Sequence, residues 1–150
     1  MICYQEETFE QVIEDIKPLL EDHWEEIALH KDSIKLNPNY ARYEELFKSG
    51  NMKIVTARDN EKLVGYCIML LYYHIHYKDS FMAMDDIFFI AKEYRKGLTG
   101  VKLFIKTEEI MKQYGVTKLS MNVKVHNDVG SIFERLGYKE TERMFTKMIG

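Results

Sequence analysis

The chain has 150 residues, one domain's worth and long enough to bury a substantial core. Hydrophobic residues make up 46% and charged residues 30%, the ordinary balance of a soluble globular protein. With 21 basic against 24 acidic side chains, the net charge of -3 gives no whole-protein attraction for nucleic acid or an anionic membrane, though a local basic patch is compatible with it.

Cys3 and Cys67 lie far apart with no Cys/His cluster near either, so zinc is not expected. The opening Met1-Ile2-Cys3-Tyr4-Gln5 has neither a basic nor a long apolar region, and no secretory signal is read there. The longest apolar run, Leu63 to Tyr73, is too short for a transmembrane helix. A cytoplasmic enzyme or binding protein with reduced thiols is the starting expectation. No repeat, low-complexity tract or linker divides the sequence, which predicts a single domain over 1–150.

Ile2 to Gln5 reads as a short strand. Thr8 followed by Gln11 is a capping box, opening a helix with Phe9, Val12, Ile13, Ile16 and Leu20 on its apolar face. Pro18 removes an amide donor, so a kink or a restart before Asp22 to Leu29 is expected. After Asn37-Pro38-Asn39 a second helix runs from Tyr40 to Lys48 and stops at Ser49-Gly50. The pattern then becomes extended. Lys53 to Arg58 and Leu63 to Tyr73 flank Asp59-Asn60-Glu61-Lys62, a hairpin turn by composition. A polar turn around Lys78-Asp79-Ser80 leads to a third strand, Phe81 to Ile90, apolar on both faces as in a sheet interior. A helix follows with Leu103, Thr107, Ile110, Met111 and Tyr114 on one face and a stop at Gly115. The end reads as strand Leu119 to Val125, helix Val129 to Leu136 and strand Glu140 to Met148. That order implies a mixed sheet with helices on both faces.

The informative segment is Phe88 to Gly100. A buried strand runs into Arg95-Lys96-Gly97-Leu98-Thr99-Gly100, and a helix begins at once. Glycine lets the backbone approach a ligand closely, and a helix start presents unpaired N–H groups with partial positive charge. The physics describes an anion site without choosing the anion. A tight strand-to-helix turn with solvated cations is the competing reading. No Lys-Ser/Thr follows Gly100, which excludes a Walker loop. A dinucleotide fingerprint would need a third glycine and a place near the first strand.

Tyr94-Arg95 through Gly100, with Glu108 in the following helix, resembles the acetyl-CoA pyrophosphate loop of the Gcn5-related N-acetyltransferase (GNAT) superfamily, Arg/Gln-x-x-Gly-x-Gly/Ala. Leu63-Val64-Gly65-Tyr66 resembles the strand after that family's hairpin turn. Phe133-Glu134-Arg135-Leu136-Gly137-Tyr138 resembles its late Tyr-Glu-Lys-x-Gly-Phe segment. His23-Trp24-Glu25-Glu26 is also similar to GNAT-like proteins of tailed phages. The loop's middle glycine falls on Leu98, with Gly97 one position early. The family's frequent general-acid tyrosine falls on Phe133, which has no proton to give. The asparagine that opens that segment falls on His126, with Asn127 beside it.

The resemblance implies an α/β (α+β) GNAT fold: a mixed, mostly antiparallel sheet of six to seven strands flanked by about four helices, in the order β-α-α-β-β-β-α-β-α-β. It implies acetyl-CoA as acyl donor, an amine acceptor and no metal. It places Phe88, Phe89 and Ile90 along the pantetheine, with Arg95, Lys96, Gly97, Leu98, Thr99, Gly100 and Val101 at the pyrophosphate. It also admits a homodimer, since many relatives pair through their late strands.

Carboxylates are uncommon in apolar strands, which singles out Asp85 and Asp86. Period-2 alternation puts Asp86 on the face of Phe88 and Ile90, and Asp85 on the other. The family often carries an acidic residue near Asp86, so Asp86 is the candidate base. The competing role is a carboxylate paired with an arginine or with amides. Glu26 and His23 lie on the first helix, which borders the acceptor groove in GNAT proteins. Glu26 is therefore the second candidate catalytic carboxylate, and solvent-facing charge its alternative. Trp24, Tyr40 and Tyr43 can line an acceptor pocket or pack in the core. His74 and His76 are acceptor-site candidates or half-exposed strand residues, without a third ligand for metal. A non-catalytic acyl-CoA-binding or regulatory protein on the same fold is the rival to an enzyme.

Overall fold

The computed structural model describes all 150 residues. Strand β1 (Ile2–Glu7) ends at Thr8, where the capping box forms reciprocally: Thr8 N–H donates to Gln11 Oε1 at 2.8 Å and Gln11 N–H to Thr8 Oγ1 at 3.2 Å. Helix α1 (Phe9–Ile27) then runs as one helix through Pro18, so the chain does not restart before Asp22. Pro18 and Glu14 are both exposed, so the carbonyl that loses its donor lies on the watered face of the helix. Helix α2 (Tyr40–Lys48) is capped by Asn39, whose side chain accepts from Arg42 N–H at 3.0 Å.

Strands β2 (Met52–Asp59), β3 (Lys62–His74) and β4 (Tyr77–Ile90) form an antiparallel meander. Its first turn is Asn60-Glu61, with Asn60 at φ +55°, a left-handed conformation that asparagine tolerates. The second turn falls at Ile75-His76, not at Lys78-Asp79-Ser80. That end of the ribbon meets water, so polar residues fit a strand there, and the Tyr73 ring packs tilted against Phe81 across the pair, centroids 4.8 Å apart. A single 3₁₀ turn (Lys92–Tyr94), α3 (Thr99–Gln113), β5 (Lys118–Ser120) and α4 (Gly130–Arg135) complete the chain. The sheet order is β1-β2-β3-β4-β5, with only the last pair parallel. Val12, Ile16 and Leu20 of α1 pack on one face against Ile54, Tyr66 and Ile68. Leu103, Phe104, Met111 and Phe133 of α3 and α4 cover the other, against Val55, Cys67 and Met69.

The sheet therefore has five strands rather than six or seven. The expected strand Leu119 to Val125 is cut short because the Asn122 amide leaves the ladder for the Asp85 carboxylate, 2.8 Å away. Glu140 to Met148 forms no strand. No backbone hydrogen bond involves it, and Met144 and Phe145 stand 83% and 90% exposed. A three-residue β5 offers too short an edge for another strand to pair along.

One buried ion pair fixes α1 to the sheet. Arg58 meets Glu7 in two parallel bonds, Nε to Oε2 at 2.8 Å and Nη2 to Oε1 at 2.9 Å, and its Nη1 reaches Asp15 of α1 at 2.9 Å. Burial works against the Glu7 anion, but bonds from Arg58 and Thr56 outweigh it and hold its pKa below the usual range. Removing one member of a buried pair strands the other charge. Glu7→Ala is therefore expected to cost about 3 kcal/mol in urea unfolding, and Glu7→Gln, which keeps an acceptor, distinctly less.

Candidate active site

The β4–β5 ladder has three register pairs, Met82 with Lys118, Ala83 with Leu119 and Met84 with Ser120, and then stops. Beyond it β4 continues to Ile90 while the other chain turns away. Ala91 N–H donates to Val64 O at 2.8 Å, and alternation in an antiparallel ladder then aims the N–H and C=O groups of Phe88 and Ile90 away from β3, into the opening. The Ile90 carbonyl accepts from Arg95 Nε at 2.8 Å.

The opening leads to the start of α3. Tyr94 Oη donates to Asp59 at 3.0 Å, tying the preceding turn to the β2–β3 hairpin. Gly97 sits at φ +80°, where a Cβ would be strained. No side chain caps α3 and its first turn holds no acidic residue. Its first internal bond is Lys102 N–H to Leu98 O at 2.9 Å, so the amides of Thr99, Gly100 and Val101 precede the helical ladder. A Cβ built on Gly100 meets nothing within 4 Å, so the backbone there is open to an approaching group. Gly65 of β3 differs: a Cβ would come within 2.7 Å of Ile90 Cδ1 and 3.1 Å of Phe89 O.

On the α1–α2 face, Asp86 accepts a 2.7 Å hydrogen bond from Tyr43 Oη. This reverses the expected facing of the two aspartates. The β3–β4 register pairs Ile68 with Ile87 and Met69 with Asp85, leaving Asp86 as the extra residue of a bulge. Alternation slips by one across it. Phe88 and Ile90 pack toward α3, Asp86 turns to α2, and Asp85 turns to Asn122. Partial burial pushes the Asp86 carboxyl above the usual carboxylate range, with the Tyr43 bond opposing it.

Glu26 and Arg95 form a two-bond ion pair at 2.5 Å each, which holds the Glu26 carboxyl below its ordinary range. His23 stacks on Phe89 at 4.9 Å, and the Arg95 guanidinium lies 5.2 Å from the same ring. His23 Nδ1 and Tyr66 Oη share a 2.8 Å hydrogen bond. On the other lip, His126 Nε2 meets Ile27 O at 2.9 Å. The end of α1 is thus fastened to both sides of the opening.

The sequence model of the Acetyltransferase (GNAT) family matches residues 13–138. The chain belongs to this family. Among solved structures, a ribosomal-protein-alanine N-acetyltransferase from Brucella melitensis biovar Abortus 2308 superposes with TM-score 0.75 at 16% identity, each chain covered in full. An aminoglycoside acetyltransferase from an uncultured soil metagenomic sample gives 0.77 at 14%, covering 100% of this chain and 99% of that one. A transcriptional regulator from Bacillus halodurans C-125 gives 0.73 at 19%, covering 99% and 100%. At these identities the likeness shows the fold. No protein with a curated description matches the sequence.

In this GNAT domain Phe133 is buried, packed on Phe104 at 4.6 Å and on Phe88 at 5.7 Å. Trp24 sits under Lys31, and Tyr40 lies 6.4 Å from Tyr43. His74 and His76 are at the tip of the β3–β4 ribbon, their rings 5.4 Å apart. No three His, Cys, Asp or Glu side chains gather as a metal site, and no helix is long and apolar enough to cross a membrane. Tyr66, part of the Leu63 to Tyr66 strand motif, is fully buried in the α1-facing layer beside His23 and Phe89. An aromatic residue inside a buried apolar run is the only local sign of it.

Burial favours neutral imidazole and pulls His23 down to about 4, with Glu26 opposing and Arg95 assisting. The unfolded chain takes up this proton near 6.5, the folded chain only near 4. Stability present above pH 6.5 therefore falls as the pH drops toward 4, by up to about 3 kcal/mol. Urea titrations from pH 7 to 4 should show that loss, and His23→Phe should flatten it relative to the parent.

Proposed function

We propose that this GNAT protein transfers an acetyl group from acetyl-CoA to a primary amine, by direct attack in a ternary complex. The observation that carries the reading is the parting of β4 from β5, with Phe88 and Ile90 main-chain groups facing the opening and the uncapped start of α3 at its end. These residues fit the donor: amides of Thr99, Gly100 and Val101, with Lys96, suit a pyrophosphate, and strand-edge groups suit the amides of pantetheine. Arg95, held by Glu26 and the Ile90 carbonyl, shapes the loop's start.

Acetyl-CoA, when bound, supplies the thioester. A lysine-like amine is neutral in about one molecule in 2,500 at pH 7, a deficit of about 4.6 kcal/mol. Asp86 takes the amine's proton, and Tyr43 orients the carboxylate for it. The raised Asp86 carboxyl is a stronger base than an ordinary aspartate. Glu26, paired with Arg95, is the weaker base and serves better as a fastening. An amide on the Phe88–Ile90 edge donates to the developing oxyanion. Phe133 cannot reprotonate a departing thiolate, which leaves that proton to water. The same fact favours the second reading, an acyl-CoA-binding protein without turnover.

Gly100→Glu places a carboxylate in open space at the α3 start. The melting temperature without ligand should stay level or rise, while the thermal shift with acetyl-CoA disappears; a retained shift refutes the loop assignment. Asp86→Asn should lower acetyl transfer roughly 10²–10⁴-fold with little change in coenzyme A affinity. Free-thiol release across polyamines, aminoglycosides and peptides measures this. Saturable binding with no turnover by the parent protein selects the second reading.

A further inference from the structure

Where the β4–β5 ladder ends, a side chain takes over from the backbone. Asp85 is 8% exposed, and its Oδ1 accepts from both the main-chain N–H of Asn122 at 2.8 Å and its Nδ2 at 2.9 Å. A backbone ladder holds neighbouring strands about 4.8 Å apart. Inserting a carboxylate between the β4 backbone and the Asn122 amide adds the length of a side chain to that spacing. The bond is charge-assisted, stronger than the ladder bond it displaces. It satisfies an amide that would otherwise seek a β4 carbonyl.

We propose that Asp85 is a positioning residue that parts β4 from β5, so that the opening beside Phe88 and Ile90 exists where the donor's pantetheine arm enters. The proposal rests on the acetyl-CoA reading only for what fills the opening. Asp85 pairs with Met69 in step with Ala83 opposite Leu71, on the side that faces α3, and the bulge at Asp86 brings Phe88 and Ile90 onto that same side. The two carboxylates thus part, Asp86 toward the acceptor side and Asp85 into the wedge on the side of Phe88 and Ile90.

The test compares the full chain with Asp85→Ala and Asp85→Asn by calorimetry with coenzyme A, by backbone amide exchange and by thermal unfolding without ligand. Asp85→Ala should weaken coenzyme A binding roughly 10- to 100-fold, and exchange at the Phe88 amide should slow as the ladder zips onward. Asp85→Asn keeps an oxygen for the Asn122 amide and should stay within about threefold of the parent. Parental affinity and exchange in Asp85→Ala, or equal losses in both variants, overturn the proposal. Should Asp85→Ala not fold, Asp85→Glu serves, keeping the charge but lengthening the wedge by one methylene. A roughly tenfold affinity loss with native circular dichroism is then expected, and unchanged affinity overturns the wedge. If the parent itself binds no coenzyme A, the acetyl-CoA reading fails, while Phe88 exchange still decides whether Asp85 parts the strands.

Discussion

Main-chain groups inside a sheet need partners, and at the Met84–Ser120 pair this sheet stops supplying them to one side of β4. The Asp85 carboxylate takes the first amide beyond that point, and the Arg95 guanidinium takes the Ile90 carbonyl. The Phe88 edge between them faces the opening. The uncapped first turn of α3 lies at the same end. A stretch of strand edge and a helix start, each short of partners, thus meet at one place. That convergence turns a common mixed sheet into a surface suited to an extended, amide-bearing, phosphorylated ligand.

What reads directly from the sequence is what nearest neighbours decide. The Thr8–Gln11 box, the α2 limits and the Asn60-Glu61 turn each depend on a few adjacent residues, and each stands where expected. Motif order identified the family. The facing of Asp85 and Asp86 was not legible, because period-2 counting assumes an unbroken ladder and the bulge is imposed by pairing with β3. The last strand failed for a related reason. Glu140 to Met148 has the composition of a strand, but a strand needs an edge, and β5 provides only three residues of one.

The fastening of the site was equally hidden. Glu26 and Arg95 are 69 residues apart, and Ile27 and His126 are 99 apart, so no local pattern links them. Read locally, Arg95 is a loop cation free to greet an anion, and Glu26 is a charge on a helix. Brought together they neutralise each other and leave Lys96 and the α3 amides as the electropositive elements. His23, uncharged against Phe89 and Tyr66, completes the contact without adding a buried charge.

The way α1 ends limits how such a protein can diversify. Exchanging the first two helices between relatives is the obvious way to remodel the face of the sheet that they cover. Here the same helix grips Arg95 on one lip and His126 on the other. A transplanted helix lacking Glu26 would loosen the loop before α3 along with the helix end, so a successful graft would have to bring residues 95 and 126 with it.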